Sequence, residues 1–130
     1  METGFGFGKN VEMGFDAAIE KVTAKLQTEG FGVLSDIDVA AKIKEKLGHD
    51  MPRYRILGAC NPVLAHQAVS AEPEIGLLLP CNVLVREDEA GAVHVSFMDP
   101  EAVLSLVDNP GVEPLSGEVK ARLERVLAAL

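Results

Sequence analysis

The chain has 130 residues, 48% of them apolar, with no Trp, one Tyr and five Phe, which excludes a disordered chain and predicts one domain over 1–130 with an aliphatic core. Twenty acids against twelve bases give a net charge of −8, a field that repels phosphate backbones and anionic membranes, so neither nucleic acid nor a membrane is an expected partner. The longest apolar stretch, 75–85, is far too short to span a bilayer, and the N-terminus lacks a basic start and an apolar secretion segment; the expected setting is cytoplasmic and reducing, with two free thiols.

Phe5 and Phe7 alternate with Gly4, Gly6 and Gly8. Phe5, Phe7 and Val11 predict one face of a strand, and the glycine-bare face suits close approach by another backbone. The glycines do not make a phosphate loop: no strand precedes them, and Asn10 stands where Ser or Thr is needed. Phe15, Ala18, Ile19, Val22 and Leu26 recur at helical spacing and predict a helix over 15–29, stopped by Gly30. A strand over 31–35 follows. Asp38 is placed to cap a short helix carrying Val39, Ile43 and Leu47, with Gly48 as its stop.

Residues 54–60 predict a buried strand with Tyr54, Ile56, Gly58 and Cys60 on one face. Asn61-Pro62 then opens a helix, since Asn is a good N-cap and Pro is favoured at the first helical position. The stretch 75–86 predicts the most apolar strand, with Pro80 forcing an edge position or a bulge. A polar turn over 87–91 leads to a returning strand with Val93, Val95 and Phe97 inward. Asp99-Pro100 repeats the cap-then-proline start, and Asn109-Pro110-Gly111 ends that helix. Ser116 is expected to cap a last helix with a stripe of Val119, Leu123, Val126, Leu127 and Leu130 and an i,i+4 pair between Glu118 and Arg122. The order β-α-β-α-β-α-β-β-α-α, with its hairpin, favours an α+β fold: one antiparallel sheet with helices packed on one face.

The only cysteines lie in two Cys-Asn pairs, Ala59-Cys60-Asn61-Pro62 and Pro80-Cys81-Asn82-Val83, each bordered by proline. These sit inside longer motifs: Gly30-Phe31-Gly32-Val33-Leu34 with Ile37-Asp38, then Tyr54-Arg55-Ile56-Leu57-Gly58-Ala59-Cys60-Asn61-Pro62, then Gly76-Leu77-Leu78-Leu79-Pro80-Cys81-Asn82-Val83, and Asp99-Pro100. With these motifs the chain resembles the family catalogued as domain of unknown function 302. The resemblance implies a fold similar to half of the TATA-binding protein, a β-α-β4-α core with a curved antiparallel sheet, here with short extra helices. It also implies a homodimer. It transfers no activity and no catalytic residues.

Read as chemistry, Cys60 ends a strand just before a helix N-terminus, a position that favours a thiolate. Cys81 follows on a strand that can neighbour it. Three readings stay open. In the first, Tyr54, Cys60, Asn61, Cys81 and Asn82 line a pocket for a small, polar and anionic ligand. In the second, Cys60 attacks and Cys81 resolves in thiol redox or sulfur-carrier chemistry. In the third, the domain is structural: Cys60 and Cys81 pack as small hydrophobes, Asn61 only caps a helix, and Asn82 satisfies backbone groups freed by a Pro80 bulge. A metal site from Cys60, Cys81 and His66 is disfavoured, because His66 falls with Gln67 and Ser70 on a polar helix side. No cofactor is expected.

Overall fold

The computed structural model describes residues 2–130. Five strands form one antiparallel sheet: β1 (Gly6–Val11), β2 (Gly32–Asp38), β3 (Tyr54–Cys60), β4 (Cys81–Glu87) and β5 (Val93–Met98), in the order β1-β5-β4-β3-β2. Helices α1 (Phe15–Thr28), α2 (Val39–Leu47), α3 (Pro62–Ala71), α4 (Pro100–Leu104) and α5 (Glu113–Ala128) complete the fold. The main core lies between one sheet face and two helices. Leu57 and Ala59 of β3, Val83 and Val85 of β4, and Val93, Val95 and Phe97 of β5 meet Ala18, Val22 and Leu26 of α1 and Leu123 and Val126 of α5. Alternation along each strand dictates this, because only every second side chain can reach the helices.

The helix starts follow the capping chemistry of the sequence. Asp38 accepts from the Ala41 N–H at 2.9 Å, and Asp99 accepts from the Glu101 and Ala102 N–H groups at 2.9 and 3.3 Å. Gly48 ends α2 in the left-handed region, with φ of 71°. The Glu118–Arg122 pair forms on α5 at 2.9 Å. The glycine-bare face of β1 is indeed approached by backbone: a Cβ on Gly6 would lie 2.9 Å from the Phe97 carbonyl oxygen.

Several expectations are corrected. Phe5 lies outside β1 and is 70% exposed, so it does not share a buried face with Phe7 and Val11. Strand β2 runs on to Asp38, while Phe31 precedes it as a core residue. The apolar run after α3 does not start a strand. It folds as a 3₁₀-helix, Pro73–Leu78, capped by the Glu72 carboxylate on the Glu74 N–H. Pro73 sets the helical φ, and Ile75 packs into a second apolar cluster with Ala68, Leu104 and Val112. Pro80 therefore makes no bulge. It stands ahead of β4, after a cis Leu79–Pro80 bond, and the sheet's irregularity lies in β2 between Val33 and Ser35. Ser116 is not a cap either. Helix α5 starts at Glu113, with Pro114 in its first turn, and the buried Ser116 hydroxyl donates to the Glu113 carbonyl at 2.7 Å. Within the polar turn over 87–91, Asp88 organises the β4–β5 connection. Its carboxylate accepts from the Ala90 and Ala92 N–H groups and pairs with His94 Nε2 at 2.8 Å.

Candidate functional site

Strand β3 stops at Cys60 and the chain turns at Asn61 into α3. Asn61 is buried, and its side-chain oxygen accepts from the Leu64 N–H at 3.1 Å, the expected N-cap bond. Its amide nitrogen lies against the turn after α1, where a Cβ on Gly30 would come within 2.8 Å of it. Gly30 also has φ of 83°, so two independent constraints demand glycine there.

Cys81 opens β4 directly opposite Ala59, so Cys60 and Cys81 sit on neighbouring strands at the same end of the sheet. Both line one cavity of about 290 Å³. Its remaining wall comes from Phe31 and Leu34, from Leu64, Ala65 and Ala68 of α3, from Leu79 and Pro80, and from Leu104 and Val119. The wall is aliphatic apart from Phe31, the two thiols and Asn61, whose oxygen is already engaged.

This setting keeps the thiols protonated. Burial raises Cys60 above the ordinary thiol value. Burial pushes Cys81 up to about 11, with the neighbouring Cys60 adding to the rise. The expected thiolate at the start of α3 is therefore corrected. Pro62 carries no N–H and the Asn61 cap occupies the Leu64 N–H, so two of the donors at the start of α3 cannot serve a thiolate, and burial dominates.

The other two sequence candidates are not brought to this cavity. Asn82 follows Cys81 and so faces the opposite side of the sheet, where it is exposed across from Gly58. It needs no buried partners there. Tyr54 begins β3, six residues from Cys60, or about 20 Å at the rise of an extended strand, and sits opposite Arg86. His66 is exposed on α3 and does not line the cavity. Among the described residues, no three His, Cys, Asp or Glu side chains are grouped to hold a metal ion. Leu104 and Val119 complete the wall from distant parts of the chain; no local pattern in the sequence marks them.

The fold has a known counterpart. The chain is similar to the crystal structure of an uncharacterized conserved protein, DUF302, from Bacillus stearothermophilus, with a TM-score of 0.89 and 28% identity, covering 96% of this chain and 97% of that one. Among curated proteins none matches. No helix among the described residues is long and apolar enough to cross a membrane. The model of the family described as Domain of unknown function DUF302 matches residues 7–130, beyond the Cys-Asn motifs on both sides, and the chain belongs to that family.

Proposed function

We propose that the domain binds a small, largely apolar molecule in the cavity between α3 and the adjoining ends of β3 and β4. The carrying observation is the wall itself: aliphatic side chains, two protonated thiols and a carboxamide whose oxygen caps a helix. A charged ligand would lose its hydration there without gaining a counter-charge, so the chemistry favours a neutral occupant over the anion that the sequence suggested. The volume of about 290 Å³ suits a small molecule. Two unpaired cysteines fit a reducing compartment such as the cytoplasm.

Indole, titrated against methyl-labelled protein, is expected to give saturable shifts at Leu64, Leu79 and Leu104. Ala65→Phe, which fills the cavity from α3, is expected to weaken binding about tenfold or more. Shifts that are absent, or unchanged in that variant, would overturn the reading. Alkylation of Cys60 faster than a free thiol would instead support the redox or sulfur-carrier alternative.

The homodimer belongs with this proposal. Helix α2 buries none of its residues, although Val39, Ile43 and Leu47 recur at i,i+4, and Leu47 is 62% exposed. Beside it, β2 is the last strand of the sheet, with Leu34 and Ile37 exposed. A two-fold axis there would pair the β2 edges and cover α2. Sedimentation is expected to report twice the 13.9 kDa chain mass, and Leu47→Glu to return the monomer. A monomeric wild type, or a dimeric Leu47→Glu, would remove this interface.

A further inference from the structure

Four arginines each hold a carboxylate. Arg53 pairs with Asp16 at 2.9 Å, Arg55 with Asp36, Arg122 with Glu118 at 2.9 Å and Arg125 with Glu29 at 2.8 Å. Arg86 is the exception. Among the described residues its guanidinium has neither an ion pair nor a hydrogen bond, although the chain carries twenty acids against twelve bases. It is half-buried on β4, on the sheet face turned away from the core helices. A partly desolvated guanidinium without an anion is an incomplete arrangement, because its lost hydration is not offset.

The residues around it complete a site. Asn82 and Leu84 share its face of β4, and Ser96 of β5 stands opposite Leu84. Among the described residues the Ser96 hydroxyl oxygen is buried beside Gly8 without a hydrogen-bond partner, and the exposed Asn82 carboxamide makes no hydrogen bond within the protein. Together with Met98 and the exposed Phe5, these residues line a cleft of about 390 Å³, separate from the cavity at Cys60.

We infer that this cleft binds a small amphiphilic carboxylate: one carboxylate group on an aliphatic or aryl body. A single planar guanidinium matches a single carboxylate in a two-bond fork. The neutral Asn82 carboxamide supplies further hydrogen bonds without extra charge. A dianionic phosphate would ask for more positive charge than the cleft holds. Leu84, Met98 and Phe5 would cover the apolar body.

Octanoate is the probe, with 1-octanol and acetate as controls that lack one half of the ligand. Calorimetry is expected to show saturable octanoate binding and much weaker binding of both controls. Arg86→Met is expected to weaken octanoate about ten- to a hundredfold, the loss of a charge-assisted pair of hydrogen bonds. In the wild type, methyl shifts are expected at Leu84 and Met98, a readout that does not depend on any variant folding. Ala65→Phe, at the other cavity, is expected to leave octanoate affinity unchanged. The inference is overturned if octanoate does not saturate, if 1-octanol binds as tightly, if Arg86→Met has no effect in a folded protein, or if the shifts appear at Leu64 and Leu104.

Discussion

Replacing Gly8 with Ala is expected to destabilise the protein by about 2–3 kcal/mol, among the largest effects of adding one methyl group anywhere in the sheet. A Cβ at Gly8 would lie 2.7 Å from the Ser96 Cα and would also press on the Val95 carbonyl oxygen. Both obstacles are backbone of β5, the strand to which β1 is bonded, so no rotamer change can relieve them. β1 must move away instead. That loosens the stacked pair of Phe7 and Phe97, whose ring centres are 5.8 Å apart. Gly8 has no positive φ, so the effect is one of contact and not of backbone conformation. Gly32→Ala is the matched control: it lies in β2, has no positive φ and would meet nothing within 4 Å. Its change is expected to stay within about 0.5 kcal/mol. Urea unfolding midpoints of the two variants make the comparison. Equal effects would refute the close approach.

That close approach was legible, because alternating glycines leave one strand face without side chains. The helix starts at Asn61-Pro62 and Asp99-Pro100 were legible for a similar reason: one residue supplies the acceptor and the next the φ angle. The apolar run after Glu72 was not. A short hydrophobic stretch serves a strand or a packed helical turn equally well, and here Pro73 and the pocket for Ile75 decide for the turn. The Cys-Asn pairs misled in a more instructive way. In β4, consecutive residues must face opposite sides, so Cys81 and Asn82 cannot share a site. Cys60 and Asn61 can, because the strand ends between them and the chain turns into α3. Two identical dipeptides thus have different geometries. The unpaired Arg86 was hidden because pairing depends on where every acid lies in space, which spacing along the chain does not reveal.

Stability is expected to fall as pH rises from about 9 to 11, by roughly 2–3 kcal/mol from Cys81 alone. The thiol's ordinary value is 9.0, and burial lifts it to about 11 in the folded protein. Below pH 9 both states keep the proton, so Cys81 adds no pH dependence. Above it the unfolded chain releases a proton that the folded protein retains, and ionisation favours unfolding until the folded-state value is reached. The direction is opposite to that of Asp99. There burial works to raise the value, but Lys120 and the Ala102 and Glu101 N–H groups outweigh it and hold the carboxyl below its ordinary range. Its contribution is therefore lost toward acid. The quantity to measure is the difference between wild-type and Cys81→Ala stability profiles, which isolates Cys81 from every other group. Cys81→Ala is expected to start lower, because it removes a buried side chain, and then to fall less steeply above pH 9. Parallel profiles would mean that Cys81 ionises freely in the folded state. Alkylation at neutral pH gives an independent reading. Cys81, only 5% exposed, should label through unfolding alone, and half-buried Cys60 more slowly than a free thiol. Slow labelling at both positions keeps the cavity a binding site with thiols in its wall; fast labelling at Cys60 makes it a site of thiol chemistry.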